Sequence, residues 1–226
     1  MASDFCLIFD CDGTLVDSEP LLASALEHSL TKAGLPFEAR RYMEEFRGVQ
    51  FARILAAMEQ EHGMQLSDEH RESTENTMRI RLEDHMRASL EPIEGVETTL
   101  ATLDQPCCVA SNGPLRKIRL SMETSGLGRF FGDRLFSAYE IGTWKPDPGL
   151  YRHAGEVMGF NPERCVVIDD APVGVEAGMA AGMHVVHLNR FSDRESTPEG
   201  AWPIERFDQL PEVIARLQRR LDSTVQ

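Results

Sequence analysis

The run Phe9-Asp10-Cys11-Asp12-Gly13-Thr14-Leu15-Val16-Asp17-Ser18-Glu19 decides how the rest of the chain is read. It follows Asp4-Phe5-Cys6-Leu7-Ile8-Phe9, a short apolar segment that reads as a strand buried on both faces. Two carboxylates, Asp10 and Asp12, stand one residue apart where that strand should end, and alternation along an extended chain points them the same way. Gly13 and Thr14 then turn the chain out of the sheet. In an open α/β sheet the carboxyl ends of the strands line the ligand crevice. Paired acids there repel unless a cation or a proton lies between them, and oxygen-only ligands favour a hard ion such as Mg²⁺. An Asp-rich turn after a core strand, with no chemistry attached, is the competing reading of the same residues.

A chain of 226 residues can bury a sizeable core and suits one domain with an insertion, or two small ones. Its 37 Asp and Glu against 23 Lys and Arg leave a net charge of −14. That excess opposes nucleic acid or an anionic membrane as partner, since both need a basic face. The five cysteines (Cys6, Cys11, Cys107, Cys108, Cys165) fall in or beside expected strands, are odd in number and show no C-x₂-C spacing. They read as small buried hydrophobes rather than as a disulfide framework or a zinc site. No basic segment precedes the N-terminal apolar run, and nothing later approaches a membrane span, so a cytoplasmic protein is expected.

From Glu19 to about Ser89 the pattern is helical throughout. Leu22, Leu26 and Leu30 recur at every fourth residue and Gly34 stops that helix. Tyr42, Met43 and Phe46 mark a second segment that breaks at Arg47-Gly48. Phe51, Ile54, Leu55 and Met58 mark a third, ending near His62-Gly63, and Ser67 caps a long polar helix bearing Met78, Leu82 and Met86. Roughly seventy helical residues placed after one strand and before any second strand make a separate helical bundle. Beyond Glu91-Pro92, helices and strands alternate. Strands are expected at Cys107–Ala110, Leu135–Ser137, Cys165–Ile168 and His184–His187. Helices are expected around Val96–Leu103, Leu115–Met122, Pro148–Met158, Val173–Ala181 and Pro211–Leu221. That alternation argues a doubly wound, Rossmann-like parallel sheet with right-handed crossovers. The expected domains are an α/β core of residues 1–17 and 89–226 and a helical cap of residues 18–88.

Two more strand ends and one loop carry polar residues. Ser111 follows the Cys107 strand and precedes a helix opened by Pro114, where a hydroxyl beside helix N–H groups suits a phosphate oxygen and equally suits an ordinary N-cap. Lys145 stands in Trp144-Lys145-Pro146-Asp147-Pro148, whose two prolines stiffen the loop that presents it. Asp169-Asp170 repeats the opening pattern at the end of the Cys165 strand, with an N-cap pair as the plainer reading.

Asp10-Cys11-Asp12-Gly13-Thr14-Leu15 resembles the nucleophile motif of the haloacid dehalogenase-like hydrolases. The family order of nucleophile motif, Ser or Thr, Lys and acidic pair is matched by Asp10/Asp12, Ser111, Lys145 and Asp169/Asp170 across the whole chain. Within the family the resemblance is to the phosphoglucomutase and phosphoglycolate-phosphatase branch, whose helical cap is set over the active site. It implies a Mg²⁺-dependent phosphatase acting on a small phosphorylated metabolite. Asp10 is the implied nucleophile that becomes an aspartyl phosphate, and Asp12 the acid and base. Mg²⁺ would be held by Asp10, the Asp12 carbonyl and Asp170, with Asp169 bound directly or through water. Lys145 would neutralise the nucleophile, and Ser111 with Asn112 would bind the phosphoryl group. Dehalogenases proper lack the second Asp, because a departing halide needs no proton, so Asp12 argues for phosphate chemistry.

Longer strings, among them Ser111-Asn112-Gly113-Pro114 and Ala177 to Met183, resemble the bacterial sugar-phosphate phosphatases that act on substrates such as 6-phosphogluconate. Arg47-Gly48-Val49-Gln50 aligns with the cap loop that the family lowers into its site, where Arg47 would clamp a second anionic group. A solvated Arg at a helix end is the alternative. The related β-phosphoglucomutases carry a histidine twelve residues after the nucleophile, where this chain has Leu22, which favours hydrolysis over phosphoryl transfer. A catalytically silent protein on this fold would have lost one of Asp10, Asp12, Lys145 or Asp170. A monomer is expected.

Overall fold

The computed structural model describes the backbone of residues 5–224 and side chains as far as Arg220; Asp4, placed in the first strand by its sequence, lies outside the described residues. The first strand, β1 (Cys6–Phe9), has every residue buried, as its unbroken apolar run requires. Four helices follow: α1 (Glu19–Lys32), the single turn α2 (Ala39–Arg41), α3 (Phe51–His62) and α4 (Asp68–Ser89). Next come α5 (Val96–Leu100), β2 (Cys107–Ser111), α6 (Leu115–Thr124), the short α7 (Gly128–Phe131), β3 (Leu135–Ser137) and α8 (Ala138–Ile141). The chain closes with α9 (Gly149–Val157), β4 (Cys165–Asp169), α10 (Pro172–Ala180), β5 (His184–Leu188), β6 (Trp202–Ile204) and α11 (Leu210–Thr224).

All six strands pair in parallel in the order β3-β2-β1-β4-β5-β6. The order runs outward on both sides of β1, so the direction of winding reverses between β1 and β4. A doubly wound sheet opens its ligand crevice at that point, beyond the carboxyl ends of the strands. Register sets what meets there. Phe9 pairs with Ile168, which brings Asp10 beside Asp169, and Ser111 pairs with Ser137. One face of the sheet buries Cys6, Ile8, Cys108, Cys165 and Val167 against α9 and α10. Phe9, on the other face, lies 5.9 Å edge-on from Phe131 and 6.1 Å stacked on Phe207. All five cysteines are free thiols.

The contacts divide the chain into two compact units, one of Met1–Val16 with Pro92–Gln226 and one of Asp17–Glu91. In the second unit α1 packs along α4. Ser67 caps α4 by accepting from the His70 amide at 3.3 Å. The buried Glu59 carboxylate takes the Arg71 guanidinium at 2.6 Å and the Leu66 amide at 2.8 Å, tying the end of α3 to the start of α4. The segment expected as a second helix is only partly so: α2 passes into a π-helical turn over Tyr42–Phe46. Among the described residues no helix is long and apolar enough to cross a membrane.

Candidate active site

Asp10 and Asp12 leave the end of β1, Asp169 and Asp170 the end of β4, and Ser111 the end of β2. Gly13 makes the first turn in the left-handed region (φ +81°), and a Cβ there would come within 2.5 Å of an Asp170 carboxylate oxygen. Only glycine meets both conditions. Thr14 then closes on the second acid, donating from Oγ1 to Asp170 Oδ1 at 2.9 Å and accepting from the Asp170 amide at 3.0 Å.

Lys145 is the cation at the centre. Its ammonium donates to Asp10 Oδ1 at 2.5 Å and to Asp169 Oδ2 at 2.9 Å, and it stands 4.7 Å from the centre of the Tyr151 ring. Burial would lower its pKa, but the charges of Asp10 and Asp169 outweigh that effect and hold it above the ordinary lysine range. Asn112 fixes where this lysine stands. Its Oδ1 accepts from the Lys145 amide at 2.8 Å, and its Nδ2 donates to the Lys145 carbonyl at 3.3 Å. The Lys145–Pro146 peptide is cis.

Asp169 is fully engaged by donors. Oδ2 accepts from Lys145 and from the Tyr151 hydroxyl, and Oδ1 accepts from the Ala171 amide at 2.8 Å. A Cβ on Gly174 would fall 1.8 Å from Asp169 Oδ2, so the first turn of α10 leaves its space to that carboxylate. Burial pushes the Asp10 carboxyl well above the usual range; Lys145 opposes the shift, while Asp169, Asp170 and Asp12 add to it. Ser111 is buried, and its Oγ accepts from the Gly113 amide at 3.1 Å, which leaves its own O–H to donate.

Asp10, Asp169 and Asp170 each offer an oxygen, all within 4.8 Å of one another, and these three buried acids could hold a metal ion. The donor set is all carboxylate oxygen, which suits a hard cation. The charge balance fits as well. Lys145 pairs with Asp10 and Asp169 and Lys117 with Asp12, and Asp170 adds a fourth carboxylate beside them, a concentration of negative charge that a divalent cation would offset.

Lys117, Thr14 and Tyr151 did not stand out in the sequence. Lys117 sits on the first turn of α6, three residues after Pro114, and donates to Asp12 Oδ1 at 2.7 Å. A basic residue one turn into a helix that starts at a strand end is the available signal. His187, paired in register with Asp169, approaches the Asp170 carbonyl with Nε2 at 3.3 Å. Arg47 belongs to the helical unit, where its Nε lies 3.6 Å from Glu19 Oε2 and both side chains are buried.

The profile of the haloacid dehalogenase-like hydrolases matches residues 6–182. The chain belongs to that family, and it is an enzyme of the phosphoric monoester hydrolase class. It is 38% identical to the 6-phosphogluconate phosphatase of Escherichia coli K12 over 210 residues, covering 92% of this chain and 93% of that one. It is 28% identical to hexitol phosphatase A of the same organism, over 90% of this chain and 91% of the other. Among solved structures, a haloacid dehalogenase-like protein of unknown function from Agrobacterium tumefaciens C58 superposes with a TM-score of 0.77 at 31% identity. That match covers 94% of this chain and 98% of the other.

Proposed function

We propose that the protein is a Mg²⁺-dependent phosphatase that hydrolyses a small sugar phosphate, such as 6-phosphogluconate, through an aspartyl phosphate on Asp10. The observation that carries the reading is Lys145, buried between Asp10 and Asp169 with Asp170 close by. A carboxylate nucleophile facing a phosphate dianion needs its own charge and the substrate's offset, and that arrangement offsets both. The resemblance in sequence to a 6-phosphogluconate phosphatase supports the substrate class.

In this reading Asp10, Asp170 and the Asp12 carbonyl hold the ion, and Asp169, with its oxygens engaged by Lys145, Tyr151 and Ala171, acts by orienting Lys145 or through a water. When bound, the ion would supply charge that polarises the phosphoryl oxygens and lowers the repulsion between two anions. The Asp10 carboxylate attacks phosphorus while Asp12 gives its proton to the leaving oxygen. Asp12 then takes a proton from the water that attacks the phospho-aspartate, and inorganic phosphate leaves. Ser111 donates to a phosphoryl oxygen. Asn112, expected to touch substrate, serves in this reading by fixing the Lys145 backbone. Arg47 binds the substrate's distal anion, and the enzyme works as a cytoplasmic monomer.

The test is release of inorganic phosphate across sugar phosphates, phosphoglycolate and nucleotides. Asp10→Asn is expected to abolish release while the fold is kept, and exhaustive chelation to abolish it until Mg²⁺ is restored. Turnover by Asp10→Asn within a few-fold of the parent enzyme, in a preparation free of other phosphatases, would sink the assignment.

A further inference from the structure

Lys117 is a basic side chain at this sheet edge that the proposed reaction leaves unused. It reaches from the first turn of α6 to Asp12, 105 residues earlier in the chain, and donates to Oδ1 at 2.7 Å. The other Asp12 oxygen, Oδ2, lies on the side of Gly113: a Cβ built there would stand 3.8 Å from Oδ2 and 3.4 Å from Ser111 Oγ. That same Cβ would stand 3.6 Å from Lys117 Cδ, so the lysine stem and the Asp12 carboxylate both lie beside the Ser111-Asn112-Gly113 turn. The Asp12 side chain is also more open than that of Asp10, at 26% exposed against 11%. A carboxylate that exposed has its rotamer set by its partners, and Lys117 is one of them.

We infer that Lys117 is a positioning residue for the acid–base step: it pins Asp12 by Oδ1, so that Oδ2, on the Gly113 side, is the oxygen that carries the proton. The inference rests on the proposed role of Asp12 as acid and base. The proton balance is as follows. As the Asp10–phosphorus bond forms and the phosphorus–oxygen bond to the sugar breaks, the proton on Asp12 Oδ2 passes to the leaving oxygen. In the second half a water proton passes to the same Oδ2 as its oxygen bonds phosphorus and the Asp10–phosphorus bond breaks. Lys117 keeps its protons throughout and touches neither the phosphate nor the leaving group.

A residue that merely supports folding would reduce turnover of every ester alike. One that places a general acid matters most where the leaving oxygen is basic. The experiment measures kcat and kcat/KM of Lys117→Met, with Asp12→Asn as reference, on phosphate monoesters from p-nitrophenyl phosphate through phenyl phosphate to an alkyl sugar phosphate. For Lys117→Met the expected loss is about threefold on p-nitrophenyl phosphate, rising to between about tenfold and a hundredfold on the sugar phosphate, parallel to a steeper trend in Asp12→Asn. Lys117→Arg, which keeps a charged donor, should recover most of the loss on the sugar phosphate.

A loss in Lys117→Met that is equal across the series, or absent, while Asp12→Asn shows the trend, overturns the positioning role and leaves the acid–base role of Asp12 standing. No trend in Asp12→Asn either would instead remove that role, and with it this inference. If Lys117→Met does not fold, as judged by circular dichroism and thermal melting, Lys117→Gln takes its place. Failure of Met, Gln and Arg variants alike to fold makes Lys117 a stability residue and ends the proposal.

Discussion

Lys145 and Arg41 each stand between two carboxylates. Lys145 bridges Asp10 and Asp169 at the sheet edge. Arg41, in the helical unit, bridges Glu45 at 2.9 Å and Glu61 at 2.7 Å, with its guanidinium 5.5 Å from the Phe46 ring centre. Each cluster has one positive and two negative groups. The difference is water. The Lys145 side chain is 3% exposed, whereas that of Arg41 is 28% exposed and its partners about half. Around Arg41 the surplus negative charge is screened by solvent, and exposed pairs of this kind contribute little to stability. Around Lys145 the surplus is confined in a poorly polarisable interior, where removing charges from water costs more than a fold alone would recover. Pairing alone cannot tell the two apart; burial can, and it is at the buried cluster that the proposed reaction places its cation and its anionic substrate.

Matched substitutions should break the symmetry cleanly. Lys145→Met is expected to lower kcat by between about a hundredfold and a thousandfold, because a charge-stabilising donor aimed at the reacting groups is lost. Arg41→Met should leave kcat within about twofold, since screened surface charge does not reach the chemistry. Steady-state kinetics of both on the same sugar phosphate make the comparison. Equal losses would mean that burial had misidentified the functional cluster.

Much of the sheet edge was legible because its chemistry sits at strand ends, where an apolar run stops and a polar residue begins. β1, β2 and β4 announce themselves this way, and so do Asp10, Ser111 and Asp169. What stayed hidden depends on partners distant in sequence. Nothing near Lys117 says that it closes on Asp12, nor does anything near Tyr151 say that its hydroxyl meets Asp169. Asn112 sat in a recognised motif, yet its two bonds go to a backbone 33 residues on. Among the elements, β6 was missed because Trp202-Pro203-Ile204 is three residues long and includes a proline, which is tolerated at a sheet edge but gives no strand pattern. Phe207 to Gln209 and the single turns α7 and α8 were missed for want of length, since so few residues display no period.

Arg47 gives the comparison a third and intermediate case. Its side chain is nearly as buried as that of Lys145, at 9% exposed, and its Nε lies 3.6 Å from Glu19 Oε2. In the proposed function this arginine binds the distal anion of the substrate. Loss of one charge-assisted hydrogen bond costs about 1.5–3 kcal/mol, roughly a ten- to hundredfold effect. Arg47→Ala is therefore expected to raise KM by about that factor for 6-phosphogluconate while kcat holds, and to change turnover of p-nitrophenyl phosphate little, since that leaving group carries no distal anion. Parallel losses on both substrates would assign Arg47 to the folding of the helical unit instead.

The smallest effect belongs to the Arg41 cluster itself and concerns stability. The hydrogen bonds that Arg41 donates to Glu61 and then to Glu45 raise its pKa, and in return the bond from Arg41 holds the Glu61 carboxyl below its ordinary value of 4.5. A carboxyl depressed by folding contributes stability that is present above its unfolded pKa and lost as pH falls through the folded one. The contribution of Glu61 should thus be complete at neutral pH and fade on acidification below 4.5. Both Glu61 and Arg41 are open to solvent, so Arg41→Met should lower the melting temperature at pH 7 by no more than about 3 °C. The deficit should shrink in about 1 M salt, where the screening length falls to roughly 3 Å, and at pH 3, below the unfolded value of 4.5, where the parent protein has begun to lose the same interaction. Differential scanning calorimetry at the two pH values and two salt concentrations measures it. A deficit that is larger and indifferent to both would show that Arg41 acts by packing its stem against Phe46 and Met58 rather than by charge.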